Sequence, residues 1–520
     1  MMDLHPRFRH ISTPLLILGA LLLPHRCAAA IQYRVSLTDP GAHTFHVTMT
    51  VPVEGRELIT ALPAWNTLYR VRDFSQRVET IRGVCAGLTA VPLDKHMVDK
   101  DTWRFSLDGR CQVGDHNSFQ IDYWIEWDSS GPFNSQLNLR HAFINLAEIL
   151  MYIPDRRNEE VSVRFVDVPA GWQTAAELVG AVDLDNAYAA ESYDQLVDAP
   201  VETGSFDQFR FEEGGGNFRV IVDSPSWKRD LLERALHSIT GYELRLMGGP
   251  PFDPPMNEYM FIFHISPDGD LDGGGMEHRN STAIASSSTE GAIAVAAHEF
   301  FHVWNVKRIR PQALEPVDYT KEQYTRALWF AEGVTSTYAA FTLERTGLWS
   351  KDRFYTDLAE QIGDLQSRPA RKWQSVEESS LDAWFEKYDL YNTPMHSINY
   401  YNKGQLLGDL LDLSIRDATD NHKSLDDVMR LLYAEYPKQG KFYDESNSIR
   451  AAVEQVAGKS FADFFARYVA GTDDVPFSEF LSIAGLETKI TGNRIVVDEI
   501  SHPSDRQRRI REGFLHGTTD

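Results

Sequence analysis

The sequence predicts a multidomain α+β protein, with a β-sandwich-like domain in its first part and a helical region towards its end. The chain has 520 residues, which is too many for one ordinary hydrophobic core. Apolar and polar residues alternate at period two in residues 44–51 and 119–127, as expected for half-buried strands. Helical spacing dominates residues 324–469, so the strands and helices are expected in different parts of the chain.

The composition is that of an acidic globular protein. Apolar residues make up 42% of the chain and aromatic residues 11%, which is enough for packed cores. The formal net charge is −24, and this argues against nucleic acid and anionic membranes as partners because both would repel the chain. No segment after residue 30 is apolar and long enough to cross a membrane.

Residues 1–30 have the pattern of a signal peptide. Arg7 and Arg9 give a basic start, residues 15–23 are apolar, and residues 28–30 are alanines suited to cleavage. The apolar stretch is short for a bilayer span, and a retained anchor is the alternative. We therefore expect an exported protein that is periplasmic or secreted after cleavage.

The mature chain would keep two cysteines, Cys85 and Cys111. An even number of cysteines in an oxidising compartment permits one disulfide bond, and two separate buried thiols are the alternative.

Four segments follow the predicted signal peptide. Residues 31–224 are predicted to form the N-terminal β domain, and the pattern changes to helices and buried strands over residues 225–345. Residues 346–475 are predicted to form a helical subdomain, and residues 476–520 a short mixed segment. The predicted helices of the second half include 288–310, 327–343, 405–416, 424–436 and 460–469.

The strongest chemical signal is an H-E-x-x-H motif in the first of these helices. His298 and His302 are four residues apart, so they share one helical face and can both reach a single cation. Glu299 then lies beside the open coordination position, where it can take a proton from a metal-activated water. The motif predicts a zinc hydrolase, since the apolar flanks do not suit a surface helix.

A catalytic zinc needs a third protein ligand. Glu332 is the best candidate because it is a lone acid in an apolar helical run, and a buried carboxylate is costly unless it is paired or bound to a metal. A buried ion pair is the alternative.

Residues 297–311 resemble the signature of the glycyl aminopeptidase family of zinc metallopeptidases. Residues 62–65 with 72–74 are similar to the family's N-domain motif, and residues 401–404 and 464–472 to its helical region. This resemblance covers nearly the whole mature chain. It implies a thermolysin-like (gluzincin) catalytic domain between the β domain and the helical subdomain. Members of this family often also have a C-terminal PDZ domain. Residues 476–520 are too few for a complete PDZ domain and resemble a truncated remnant.

The resemblance also implies substrate-binding residues. Gly274, Gly275, Met276 and Glu277 resemble the exopeptidase motif of the related aminopeptidase N family, in which the glutamate grips the free α-amino group. His278 departs from that family, which has asparagine there. Tyr401 aligns with a tyrosine that donates a hydrogen bond to the oxyanion.

Other conspicuous residues are interpreted as structural. The basic run of residues 307–310 is expected to pair with carboxylates or to cap the helix C-terminus. His264 is expected to be a core histidine. The N-domain motif is interrupted at residues 66–68, where the family usually has a Thr-Pro-Gly turn.

These observations predict a zinc-dependent aminopeptidase with one Zn²⁺ per chain that acts on peptides and, by resemblance, prefers N-terminal glycine or alanine. The alternatives are an endopeptidase of the same fold and a non-catalytic peptide-binding protein with a vestigial metal site.

Overall fold

A computed structural model gives the architecture. It describes residues 31–52, 55–66, 69–85, 95–107, 118–181, 184–252, 256–267, 273–492 and 494–517. The predicted signal peptide and Cys111 therefore lie outside the described residues. Cys85 is disulfide-bonded, and its partner also lies outside them.

The strands of the described residues form five sheets. The bounds of the strands are β1 Ile31–Ser36, β2 Thr44–Pro52, β3 Glu57–Ala61, β4 Val78–Cys85, β5 Lys95–Asp99, β6 Thr102–Ser106, β7 Ser118–Glu126, β8 Gln136–Leu137, β9 His141–Ile144, β10 Val161–Val166, β11 Gln173–Ala176, β12 Val179–Gly180, β13 Ala187–Ala190, β14 Val201–Gly204, β15 Asp207–Glu213, β16 Gly216–Asp223, β17 Glu258–Ile265, β18 Gly274–Glu277, β19 Ser281–Ser286, β20 Leu486–Thr491 and β21 Arg494–Glu499.

Helices dominate the second half. The α-helices are α1 Leu146–Ile149, α2 Tyr193–Val197, α3 Arg229–Met247, α4 Thr289–Phe301, α5 Thr335–Arg345, α6 Lys351–Ser367, α7 Val376–Leu381, α8 Tyr400–Ala418, α9 Leu425–Glu435, α10 Glu445–Ala457, α11 Ala462–Phe464, α12 Phe477–Ser482 and α13 Asp505–His516. Two π-helical turns cover Trp329–Val334 and Phe465–Val469.

The N-terminal part is a β domain built on one large sheet with the strand order β12-β13-β10-β1-β2-β7-β4. Smaller sheets, β11-β14-β9-β8 and β3-β6-β5, complete it within the described residues. The alternation in β2 and β7 turns every second residue into the core, so Phe45 and its cross-strand partner Ile125 are both fully buried.

A second sheet, with the order β15-β16-β17-β19-β18, supports the following domain. Strands β16, β17 and β19 run parallel, and β18 pairs antiparallel with β19 at the edge. Phe218 and Val220 of β16 pack in the same core as α3 and α4. The boundary predicted at residue 224 is therefore too late, because β15 and β16 alternate like the strands before them but pair with the following domain.

The helical part surrounds α8, most of which is buried. The predicted helix 327–343 is divided, since the Trp329–Val334 segment is a π-turn and α5 begins at Thr335. The predicted helix 288–310 ends earlier than expected, at Phe301. The last segment forms the β20–β21 hairpin and α13, and α13 packs against α5 and α8. No helix in the described part of the chain is long and apolar enough to span a membrane.

Candidate active site

Helix α4 carries the H-E-x-x-H motif into a cleft. The helix begins where the Ser288 hydroxyl accepts a hydrogen bond from the Gly291 backbone at 3.1 Å, which satisfies one free amide of the first turn. Its apolar face, including Ala297 and Phe300, is buried in the core of the domain. His298 and Glu299 lie one turn before the C-terminal end of the helix, and His302 caps that end.

The two histidines point their Nε2 atoms at the same place, 3.0 Å apart. His302 Nδ1 lies 2.8 Å from the main-chain oxygen of Asn305, so this nitrogen must be the donor. The Ser336 hydroxyl donates to the Glu332 main-chain oxygen and therefore accepts from His298 Nδ1 at 3.3 Å. In the neutral form of each ring, Nε2 then carries the lone pair, as in metal-binding histidines.

Glu332 completes a group of three ligand atoms. Its Oε2 lies 3.2 Å from His302 Nε2 and 3.7 Å from His298 Nε2. Glu332 is almost fully buried, and it belongs to the π-helical turn that packs against α8. A Cβ on Gly333 would overlap the backbone of Gly404, so both glycines are needed for this close approach. The set of two imidazoles and one carboxylate fits zinc.

The Glu332 carboxylate stabilises positive charge on the groups around it. Burial alone would lower the pKa of His302, but the Glu332 carboxylate raises it to about 10. Burial would raise the pKa of Glu332, and the two histidines hold it well below its usual range. The site therefore favours positive charge at the point where the three ligand atoms meet.

Glu299 is buried beside this group, and its Oε2 has no hydrogen-bond partner in the described residues. Burial raises the pKa of Glu299 well above its ordinary value. A Cβ on Gly275 of β18 would overlap the Glu299 carboxylate, so the glycine is what lets the edge strand pass so close.

Glu277 ends β18 and lines the same cleft. Ligand oxygens of Glu277 and Glu299 and a ring nitrogen of His302 all lie within 4.8 Å of one another. The neighbouring His278 turns away from the cleft and contacts Asp198 of the β domain at 3.2 Å. Asp198 also pairs with Lys307 at 2.8 Å, so this network fixes the Glu277 loop between the two domains.

The basic run of residues 307–310 has the structural role expected from the sequence. Arg308 donates to the main-chain oxygens of Val303 and Arg279, both at 2.9 Å, and so ties the end of α4 to the loop after Glu277. Arg310 pairs with Glu315.

Tyr401 lies in the first turn of α8 and lines the cleft. Its ring centroid is 6.2 Å from that of His298 and 4.8 Å from that of Tyr400, on which it stacks. The Asn399 side chain accepts from the Tyr401 amide at 2.8 Å and fixes the start of the helix.

Two residues of the β domain also line the cleft, whose volume is about 450 Å³. The Phe133 ring lies against Gly274, and a Cβ atom added to this glycine would be 3.1 Å from Phe133 Cζ. Arg72, from the N-domain motif, donates to the Phe133 main-chain oxygen and pairs with the buried Glu148 at 2.9 Å. Tyr69 follows the interrupted part of that motif and stands with its ring edge towards Trp384.

Sequence reasoning missed Phe133, Tyr69, Ser336 and Asn305. Phe133 and Tyr69 reach the site only through the packing of two domains, which no local pattern reveals. Asn305 had a local signal, because it lies three residues after His302, but its role depends on a turn that was not foreseen.

Comparisons with known proteins agree with this fold. Residues 291–407 match the family described as M61 glycyl aminopeptidase, and residues 32–205 match the Peptidase M61 N-terminal domain. The fold and these two matches define a peptidase. The two matches together cover more than half of the chain, and the protein belongs to the M61 peptidase family.

Among solved structures, an aminopeptidase N family protein from Idiomarina loihiensis is 24% identical, with a TM-score of 0.81 over 88% of this chain and 79% of that chain. Aminopeptidase A from Legionella pneumophila in complex with aspartic acid is 13% identical, with a TM-score of 0.48 over 85% and 49% of the two chains. An M1 zinc metallopeptidase from Deinococcus radiodurans is 13% identical, with a TM-score of 0.47 over 82% and 92%. No curated protein matches the chain in sequence.

Proposed function

We propose that this protein is a zinc-dependent aminopeptidase that removes small N-terminal residues, glycine or alanine, from peptides. The observation that carries the proposal is the convergence of two histidine Nε2 atoms and the Glu332 carboxylate, with Glu299 and Glu277 beside them. His298, His302 and Glu332 would hold one zinc ion. When bound, this ion would polarise the scissile carbonyl and acidify the attacking water.

Glu299 is the proposed general base. Its buried carboxylate has an oxygen with no hydrogen-bond partner among the described residues, so it can take a proton from the water and pass it to the leaving amine. Removal of solvent around Glu299 raises its affinity for that proton.

Glu277 is the proposed anchor of the substrate's free amino terminus. A carboxylate within 4.8 Å of the reacting region pairs with an ammonium group and sets cleavage one residue from the end. Tyr401 lines the same cleft and is the proposed donor of a hydrogen bond to the oxyanion.

The preference for small residues rests on the family description and on the shape of the cleft. Phe133 lies against Gly274 of the edge strand that ends at Glu277, so its ring lines the cleft near the proposed amino-terminal anchor. A large first residue would have to share the cleft with this ring, and Arg72 fixes the main chain of Phe133 by a hydrogen bond.

The proposal is tested by comparing hydrolysis of peptides with free and N-acetylated termini, each with and without a metal chelator. We expect cleavage of Gly- and Ala-initiated free peptides, loss of that cleavage on chelation, and recovery when zinc is restored. Cleavage of blocked peptides at internal bonds would favour an endopeptidase. Binding without any hydrolysis would favour a vestigial site.

We also propose that residues 1–30 direct export and are then removed. The basic start, apolar stretch and alanine-rich end support this proposal. N-terminal sequencing of the protein from the periplasm and the medium should find a start near residue 31. A start at residue 1 in those fractions would contradict it.

A further inference from the structure

A second group of two histidines and a glutamate lies where the β domain meets the catalytic domain. His141 begins β9, Glu202 belongs to β14 and His264 belongs to β17, so three strands of two sheets contribute one side chain each. All three residues are buried, and one ligand atom from each lies within 4.8 Å of the others. The sequence predicts a core histidine at position 264, and its two partners lie more than 60 residues upstream.

The ligand atoms face one another at short range. His141 Nδ1 lies 2.9 Å from Glu202 Oε1, and His264 Nε2 lies 2.8 Å from Glu202 Oε2. Asp223, at the end of β16, brings a further carboxylate oxygen to 3.5 Å from His141 Nδ1. The group therefore offers two nitrogens and up to three oxygens from strands whose positions the sheets fix.

The protonation of His141 follows from its neighbours. The Gln136 side chain donates from Nε2 to Asp128 at 2.9 Å, which fixes the amide and leaves its Oε1 facing His141. That oxygen lies 3.0 Å from His141 Nε2, so His141 must donate from Nε2. In the neutral ring, Nδ1 then carries a lone pair aimed at the Glu202 and Asp223 carboxylates.

A lone pair facing two carboxylates is repulsive unless a cation lies between them. Arg140 pairs with Asp223 from the solvent side at 3.6 Å, and its side chain is 74% exposed, so it neutralises little of the buried charge. The cation must be either a second proton on His141 or a metal ion. Two imidazoles with carboxylate oxygens are the same donor types as in the catalytic group.

We propose that His141, Glu202 and His264 bind a second divalent transition metal of the zinc class, which joins the β domain to the catalytic sheet. The group lies beside an apolar contact between the two sheets, where the Phe143 ring is 4.8 Å from the His264 ring. A metal there ties β9 and β14 to β17 without touching the catalytic cleft. Its role is therefore structural, and peptide hydrolysis does not require it.

The test is the zinc content of the purified full chain, measured by mass spectrometry after exhaustive dialysis against zinc-free buffer. We expect two zinc ions in the wild type, one in the Glu202→Gln variant and one in the His298→Ala variant. The Glu202→Gln variant should still hydrolyse peptides, whereas the His298→Ala variant should not. His237→Ala is the matched control, because His237 forms a His–Glu pair with Glu213 but has no third ligand among the described residues, and it should keep two ions.

The proposal would be overturned if the wild type held one zinc ion and the Glu202→Gln variant retained it. The cation beside Glu202 would then be a protonated His141. If Glu202→Gln does not fold, the His298→Ala/His302→Ala variant decides instead. It should hold one zinc ion, visible by anomalous scattering between β9, β14 and β17, and a zinc-free double variant would refute the second site. Because the readout is metal content, its failure is distinct from failure of the proposed peptidase activity.

Discussion

The main-chain oxygen of Asn305 lies 2.8 Å from Nδ1 of His302, while the side chain of the same asparagine reaches the turn that carries Glu332. Asn305 Nδ2 donates to the Phe330 oxygen at 2.8 Å and to Thr335 Oγ1 at 3.1 Å. These hydrogen bonds satisfy oxygen atoms of the π-helical turn, whose hydrogen-bond pattern differs from that of a regular α-helix. One buried residue therefore sets the ring orientation of one proposed ligand and the position of another.

We expect the Asn305→Asp variant to bind zinc about 10–100-fold more weakly, because loss of a residue that orients metal ligands has an effect of this size. Aspartate fills the same space but cannot donate to the carbonyl oxygens of the turn. The measurement is a zinc titration with a competing chelator. The Asn447→Asp variant, at an exposed position of α10, is the control. Unchanged zinc affinity in Asn305→Asp would show that the π-turn holds Glu332 without this link.

The Tyr401→Phe variant should lose about 10²–10³-fold in kcat with a much smaller change in KM, since it removes a hydrogen-bond donor used in the transition state. Tyr400→Phe is the matched control, because Tyr400 stacks on Tyr401 but points into the protein core. Steady-state kinetics on a glycyl substrate measures both. A larger loss in Tyr400→Phe would transfer the role to Tyr400.

The Gly275→Ala variant should lower kcat by about 10²-fold, because an added methyl group would push the Glu299 carboxylate out of place. Gly273→Ala is the control two residues away, where the nearest described atom to an added Cβ is the Ala285 oxygen at 3.7 Å. Zinc content should be normal in both variants. Full activity in Gly275→Ala would mean that the position of Glu299 is not critical.

Asp198 should make the stability of the protein depend on pH. Burial would raise the pKa of Asp198, but Lys307 and His278 lower it well below its ordinary value. Because the folded-state pKa is depressed, the ionised Asp198 carboxylate adds to the free energy of unfolding. This stabilisation is complete above the unfolded-state pKa of about 3.9 and is lost as pH falls below it.

The Asp198→Asn variant should accordingly be less stable than the wild type by about 1–3 kcal/mol at pH 7. The difference in the free energy of unfolding between the wild type and the variant should narrow as pH falls through 4. Urea unfolding at several pH values measures this difference. Asp185→Asn, at an exposed acid of the same domain, should show no such trend. A difference in the free energy of unfolding that stays constant down to pH 3 would contradict the lowered pKa of Asp198.

Much of this architecture is predictable from local pattern. The period-two strands β2 and β7, the helix carrying His298 and the isolated acid Glu332 are each encoded within short segments. The π-turn was not predictable, because an extra residue in a helical turn leaves the apolar spacing almost unchanged. The domain boundary was misplaced for a related reason, since alternation in β15 and β16 does not tell which sheet they join.

The site was predictable only where its residues are close in sequence or belong to a family motif. Glu299 and the histidines follow from helical spacing, and Glu277 and Tyr401 from resemblance. Phe133 has no signal of its own, because it reaches the cleft through Arg72 and the docking of the β domain. Contacts of this kind depend on tertiary packing and not on local propensity.

The most direct test of the central claim compares the wild type with the Glu299→Gln variant on glycyl and alanyl amides, with zinc content measured in the same samples. Glu290→Gln, an exposed position on the same helix, is the control. We predict that Glu299→Gln loses about 10³-fold or more in turnover while its zinc content equals that of the wild type. Near-normal turnover in Glu299→Gln would contradict the account, because no other buried carboxylate is assigned to take the proton.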